Sequence, residues 1–244
     1  MYRLAVLPYC NAAPLVYYIS DFCPSIKLVE KYPREMYDEL KSNHVDAALV
    51  PIVDFLTNEN LRMVPGLGIC ADGPVESVLL RSQKPLNEIR SIKLFPESRT
   101  SNSLIQVLLF QYFGMNHDIH LTYYNQEADA KIMIGDKALC ESQTGYTYDL
   151  SDMWKQQTNL PFVFAVWAYR ADILDRTNIS SILYKTKEKG CNNITCHSTI
   201  AFNWSDYRLL MAVVEEKLPD TCAEMALACI YFCFMVTQLS RIIK

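Results

Sequence analysis

Glycine is scarce, with only 7 residues in a chain of 244. No G-x-G-x-x-G and no glycine-rich phosphate loop occurs, so the usual backbone cradle for nucleotide phosphates is excluded. Histidine is also rare. None of His44, His117, His120 and His197 stands with a partnered nucleophile, which argues against a Ser-His-Asp or Cys-His enzyme. Positive charge is not in excess: 23 Lys and Arg face 27 Asp and Glu, for a net charge of -4. With no basic patch, a nucleic-acid partner is not expected. No apolar run approaches the roughly 20 residues of a membrane span. The longest, Met225 to Val236, reads as a buried helix, so no membrane partner is expected. The opening apolar run stops at Pro8, too early for a signal-peptide core. The nine cysteines form no Cys-x-x-Cys pair. Cys191-x4-Cys196-His197 is a weak metal-type spacing. Cys229 and Cys233 lie among Leu227, Ile230, Phe232 and Phe234 and read as core. Scattered thiols of this kind suit a reducing, cytoplasmic compartment, and no metal is expected.

Apolar residues make up 50% of the chain, enough for a sizeable core in one large domain or two smaller ones. The most informative run is Pro161-Phe162-Val163-Phe164-Ala165-Val166-Trp167. It is too short for a buried helix and rich in aromatic and β-branched types, so it reads as a strand covered on both faces. Earlier, the pattern predicts strands at Tyr2–Pro8, Lys27–Lys31, Val45–Val50 and Arg62–Cys70. Helices at Pro14–Tyr18, Pro33–Asn43 and Pro51–Thr57 alternate with them. That order implies a parallel sheet, because parallel neighbours need crossover helices. Further strands are expected at Val75–Arg81, Ile92–Phe95, Leu121–Tyr124 and Lys131–Ile134. A helix is expected at Ser103–Phe113 and a helical turn at Lys137–Glu141. Tyr148-Asp149-Leu150 and Trp154 sit in a polar segment that ends in Thr158-Asn159-Leu160. The tail reads as helices at Ser205–Lys217 and Thr221–Ile243. Two crossings between lobes, near Val75–Arg81 and Phe162–Arg170, give one discontinuous lobe from 1–80 plus 168–244 and a second from 81–167.

Four places suit ligand chemistry. Ser98-Arg99-Thr100-Ser101 follows a strand and opens a helix, where hydroxyls cap N–H groups and the helix dipole favours an anion. Asn11 lies just past the first strand, where ligands of open α/β sheets bind. Ser77 sits in Gly73-Pro74-Val75-Glu76-Ser77-Val78. Asp136 follows a strand in Ile134-Gly135-Asp136. Each also has a plain structural reading, as a cap, a turn residue or a strand hydroxyl bound to backbone.

Taken together, these pieces resemble the chorismate dehydratases of the futalosine route to menaquinone. The matching segments run in family order over about residues 2–170. They are Tyr9-Cys10-Asn11 with Pro14-Leu15, Asp46-Ala47-Ala48-Leu49-Val50-Pro51, Gly66-Leu67-Gly68-Ile69 and Gly73 to Val78. They continue with Ser98 to Ser101, Ile134 to Leu139, Tyr148-Asp149-Leu150, Trp154, and Leu160 to Trp167. Asn159 stands where the family usually has glycine. The resemblance implies an α/β, two-lobe periplasmic-binding-protein-like (type II) fold with two strand crossovers and a helical C-terminus. It also implies a cofactor-free dehydration of chorismate, a small dianionic substrate, to 3-[(1-carboxyvinyl)oxy]benzoate. Asn11 and Ser77 carry over as the catalytic, ring-facing residues, and Ser98, Arg99, Thr100, Ser101 and Asp136 as substrate-binding ones. Monomer and homodimer both stay open. Two other functions remain in view: a cytoplasmic two-lobe binding protein for a small carboxylate, and the sister enzyme that makes a dihydroxynaphthoate with a histidine base.

Overall fold

The computed structural model describes residues 2–8, 12–115, 119–123, 127–142, 144–173 and 176–193. In chain order the elements are β1 (Arg3–Val6), α1 (Ala13–Val16), α2 (Ile19–Phe22), β2 (Lys27–Glu30), α3 (Met36–Lys41), β3 (Ala47–Pro51), α4 (Ile52–Leu56) and β4 (Leu61–Ala71). They continue with β5 (Val78–Ser82), β6 (Ser91–Lys93), α5 (Arg99–Val107), β7 (His120–Thr122), β8 (Ala130–Ile134), α6 (Asp136–Cys140), β9 (Tyr146–Asp149), α7 (Leu150–Thr158), β10 (Phe162–Arg170) and α8 (Arg176–Asn193). Two compact units result: residues 2–70 with 163–193, and Ala71–Phe162. The expected tail helices at Ser205–Lys217 and Thr221–Ile243 lie outside the described residues.

The first unit is built on a five-stranded sheet in the order β2-β1-β3-β10-β4. Both β2 and β3 run parallel to β1, as crossover helices require. The expectation of a parallel sheet fails at β10, which is antiparallel to β3 with Val166 opposite Val50. The chain reaches β10 after the whole of the second unit, not through a β-α-β crossover, so nothing forces a parallel neighbour. The run read as doubly covered is so: Val163, Ala165, Val166, Trp167 and Ala168 are all buried. Leu4, Ala5, Leu40, Leu49 and Trp167 are fully buried in the core of this unit, and α8 adds Ile179, Ile182 and Leu183 to it. That 18-residue helix was not foreseen.

The second sheet has the order β7-β6-β8-β5-β9. It too is mixed: β6 is parallel to β7 and β8, while β5 is antiparallel to both β8 and β9. The expected strand at Val75–Arg81 starts only at Val78, and β5 lies wholly inside this sheet. Strand β10 belongs to the first sheet. The boundaries between units therefore fall at 70/71 and 162/163, not at 80/81 and 167/168, because backbone pairing rather than apolar content assigns each strand. The expected helix at Ser103 starts four residues earlier, at Arg99. Thr100, Ser101 and Asn102 look like a polar loop but are buried within the first turns. Strand β9 and helix α7 form the segment read only as polar. Trp154 on α7 is fully buried. Its Nε1 donates to the Pro161 carbonyl at 3.2 Å, and its ring meets Phe162 edge-on at 5.4 Å. Such an aromatic pair adds roughly 0.5–1.5 kcal/mol beyond burial. Helix α7 ends on Asn159 at φ 57. Asparagine tolerates that left-handed cap next best to glycine, which explains the departure from the family's usual residue.

Asp129 ties the strand starts of this sheet together. Its carboxylate accepts from Lys84 Nζ at 2.6 Å, from the Arg90 N–H at 2.8 Å and from the Ser91 N–H at 3.1 Å. The Lys84 hydrogen bond, with the Arg90 N–H next, pulls the carboxyl from its ordinary 3.8 down to about 2. A carboxyl held lower in the folded state stabilises it above pH 3.8 and loses that contribution as the pH falls through about 2. The stability gap between wild type and Asp129→Asn is thus expected to be full at neutral pH and to narrow between those two values. Urea unfolding at several pH values measures it, and a gap constant down to pH 2 would contradict the assignment.

Candidate active site

One end of the second sheet gathers the candidate residues. Strands β6, β8 and β9 all finish there, and β5 begins there, with Val78 opposite Ile134 and Leu79 opposite Asp149. Helices α5, α6 and α7 start from this end, so their N-terminal N–H groups share it. The sheet order therefore brings Ser77, Ser98 to Ser101 and the start of α6 at Asp136 to one edge, although up to 59 positions separate them in sequence. Asn11 lies outside the described residues.

The turn before α5 is rigidly made. Ser98 is the N-cap, extended at φ -132 and ψ 99, and its Oγ accepts from the Ser101 N–H at 3.2 Å. The same hydroxyl donates to Ser101 Oγ at 3.1 Å. Asn102 pairs with the backbone of Phe95: Oδ1 accepts from its N–H at 3.0 Å, and Nδ2 donates to its carbonyl at 2.9 Å. That pair of hydrogen bonds fixes the path of the chain into the helix. Thr100 and Ser101 are buried, whereas Arg99 is exposed. Capping thus accounts for Ser98, while the dipole and first-turn N–H groups of a nine-residue helix still favour an anion at its start.

Ser77 is 4% exposed, and its hydroxyl has no hydrogen-bond partner among the described residues. Its carbonyl accepts from the Gly135 N–H at 2.8 Å, which joins the β5 approach to the β8–α6 turn. Gly135 makes that turn at φ 67, and α6 follows from Asp136.

Sequence reasoning gave Asp149 no role. It caps α7, with Oδ1 accepting from the N–H groups of Ser151 at 3.0 Å and Asp152 at 3.1 Å. Oδ2 accepts from Val75 N–H at 2.8 Å and Glu76 N–H at 2.6 Å. Burial pushes its carboxyl above the ordinary value, against the opposing pull of the N–H groups of Glu76, Asp152, Val75 and Ser151. An aspartate just before a helix is a readable cap signal. Its second pair of donors comes from 73 and 74 positions upstream and leaves no local trace.

A cavity of about 530 Å³ opens at the other end of the same sheet, lined by Arg81, Ser82, Lys93, Asp129, Lys131 and Glu141 among others. Arg81, Lys131, Glu141 and Asp129 in its lining are already paired. Arg81 donates to Glu141 at 3.2 Å and to the Ala138 carbonyl at 2.8 Å, and Lys131 reaches Glu141 at 3.1 Å. Arg81 thereby closes the C-terminal end of α6, a structural role. No group of three His, Cys, Asp or Glu side chains that could hold a metal ion occurs among the described residues. Nor, among them, is any helix long and apolar enough to cross a membrane.

A family model described as menaquinone biosynthesis matches residues 2–216. The chain belongs to the menaquinone-biosynthesis family. Among curated proteins similar to this family member is the chorismate dehydratase of Thermus thermophilus, 29% identical over 196 residues, or 70% of each chain. Another is that of Campylobacter jejuni, 28% identical over 168 residues, or 65% of this chain and 63% of the relative. Among solved structures, a protein from Archaeoglobus fulgidus has a TM-score of 0.71 at 13% identity, covering 99% of this chain and 98% of that one. The periplasmic aliphatic sulphonate-binding protein of Escherichia coli has a TM-score of 0.59 at 15% identity, covering 96% and 82%. A Candida albicans protein described as having the generic periplasmic-binding-protein fold has a TM-score of 0.54 at 13% identity, covering 96% and 95%. The family member therefore has the α/β periplasmic-binding-protein-like fold.

Proposed function

We propose that the protein is a chorismate dehydratase, a cytoplasmic hydro-lyase that converts chorismate to 3-[(1-carboxyvinyl)oxy]benzoate and water in the futalosine branch of menaquinone biosynthesis. The observation that carries this reading is the meeting of Ser77 with the Ser98–Ser101 helix start at one sheet end. It occurs in a chain of the menaquinone-biosynthesis family whose curated relatives include chorismate dehydratases.

The chemistry needs little machinery. The ring hydroxyl leaves with its bonding electrons, and the hydrogen on the neighbouring ring carbon leaves as a proton. The two make one water, and the ring becomes aromatic. What the protein supplies is orientation of a dianion and stabilisation of the charge that develops as the proton leaves. The start of α5 suits one carboxylate, with Ser98, Arg99, Thr100 and Ser101 as its surroundings. A helix terminus is worth roughly 0.3–1 kcal/mol to such a charge. Ser77 offers a hydroxyl without a competing partner among the described residues, suited to hydrogen-bonding the departing hydroxide. By resemblance to the family, Asn11 is assigned to the ring, and Asp136 at the start of α6 completes the proposed substrate-binding set. Neither an amide nor an unpartnered serine is a strong base, so the substrate's own carboxylate is the natural proton acceptor.

The fold likeness to a sulphonate-binding protein favours a second reading, a holder of small carboxylates without chemistry. Incubating purified protein with chorismate, while binding is followed in parallel, separates the two. Loss of chorismate to an aromatic product supports the dehydratase, and binding with chorismate intact selects the holder.

A further inference from the structure

Glu76, the residue before Ser77, stands at φ 58. That left-handed conformation is strained for a residue with a side chain, so something must hold it. Its side chain is exposed and does not anchor it. The backbone is held instead by Asp149, whose Oδ2 accepts from the N–H groups of both Val75 and Glu76. On the far side, the Ser77 carbonyl is held by the Gly135 N–H at 2.8 Å. Ser77 is thus fixed between two ties, one from the start of α7 and one from the β8–α6 turn.

Capping alone does not explain an aspartate here. A helix cap uses one oxygen, and asparagine or serine serves equally well. At position 149 the cap occupies Oδ1, and the second oxygen serves only the 75–76 turn. We infer that Asp149 is a positioning residue whose carboxylate holds the left-handed Glu76 turn and thereby sets the place of the Ser77 hydroxyl. This rests on the reading of Ser77 as substrate-facing.

Asp149→Asn separates the two duties. Its remaining oxygen can still cap α7, but its NH₂ group then faces the Val75 and Glu76 donors, and both lose the one acceptor they share. Thermal melting, backbone amide hydrogen exchange and chorismate kinetics are measured on wild type, Asp149→Asn and Asp149→Asn/Glu76→Gly. A folded Asp149→Asn is expected to exchange the Val75 and Glu76 amides about tenfold faster or more. Its kcat should fall about tenfold or more while KM moves less than about threefold, as for a group that acts on the transition state through another. Adding Glu76→Gly should restore part of kcat, since glycine takes the left-handed conformation without a clamp. Unchanged exchange at Val75 and Glu76 would overturn the inference. So would a kcat loss that merely tracks the unfolded fraction and is not relieved by Glu76→Gly. If wild type itself leaves chorismate unchanged, the functional reading fails separately, and exchange in the ligand-free variant still decides whether Asp149 holds the turn.

Discussion

Ser77→Ala is expected to leave the protein folded and to lower chorismate turnover by about 10²–10³-fold, the usual cost of removing one donor aimed at developing charge. The stability side follows from the structure. The Ser77 hydroxyl makes no hydrogen bond among the described residues, so alanine forfeits none of them and fills nearly the same space. The change in unfolding free energy should stay within about 1 kcal/mol. The kinetic side follows from the proposed division of labour. The start of α5 holds a carboxylate in ground state and transition state alike, whereas Ser77 acts on the departing hydroxide. Loss of Ser77 should therefore fall on kcat and leave KM nearly unchanged. Steady-state kinetics on the purified variant give both numbers. A kcat within about threefold of wild type, too small for a lost transition-state donor, would remove Ser77 from the chemistry.

Gly190→Ala is expected to destabilise the first unit. On an exposed helix face, alanine in place of glycine adds about 1 kcal/mol of stability. Here the sign reverses. A Cβ at 190 would collide with the Pro14 carbonyl oxygen and lie 2.8 Å from its carbon and 2.9 Å from the Pro14 Cα, so α8 and α1 must separate. The core of this unit includes Leu15 on α1 and Ile179, Ile182 and Leu183 on α8, all buried. Overpacking a rigid backbone contact of this kind costs on the order of 1–3 kcal/mol. The Lys189–Asp21 pair at 2.6 Å ties α8 to α2 rather than to α1, and both partners are about half-exposed. Such a pair contributes under about 1 kcal/mol and cannot hold α8 on α1. Urea unfolding of Gly190→Ala measures the balance, and a stabilised variant would show that α8 does not rest on α1 in this way.

Much of the fold could be read from apolar pattern alone. β1, β3 and β10 lie within a few residues of their expected spans because each is a short, largely buried run. The elements that escaped did so for physical reasons. Helix α8 buries Ile179, Ile182 and Leu183, but its stripe continues through Thr186 and Gly190, chosen for closeness rather than hydrophobicity. Strand β9 is an edge strand whose Tyr146 and Tyr148 rings stack at 6.5 Å, half in solvent, so it lacks a buried-strand signature. At the site, Ser98 was readable as a cap, yet the helix beyond it was placed too late, because buried hydroxyls and an amide look like loop. Asp149 stood in plain view within Tyr148-Asp149-Leu150, but its partners at Val75 and Glu76 are set by the fold and not by neighbouring residues.

The central claim is tested most directly by a time course of purified protein with excess chorismate, with the product identified by its mass and aromatic absorbance and Ser77→Ala run alongside. The account predicts one 3-[(1-carboxyvinyl)oxy]benzoate and one water for each chorismate lost, over many turnovers, with the variant slowed as above. Chorismate that binds and is recovered unchanged would contradict it.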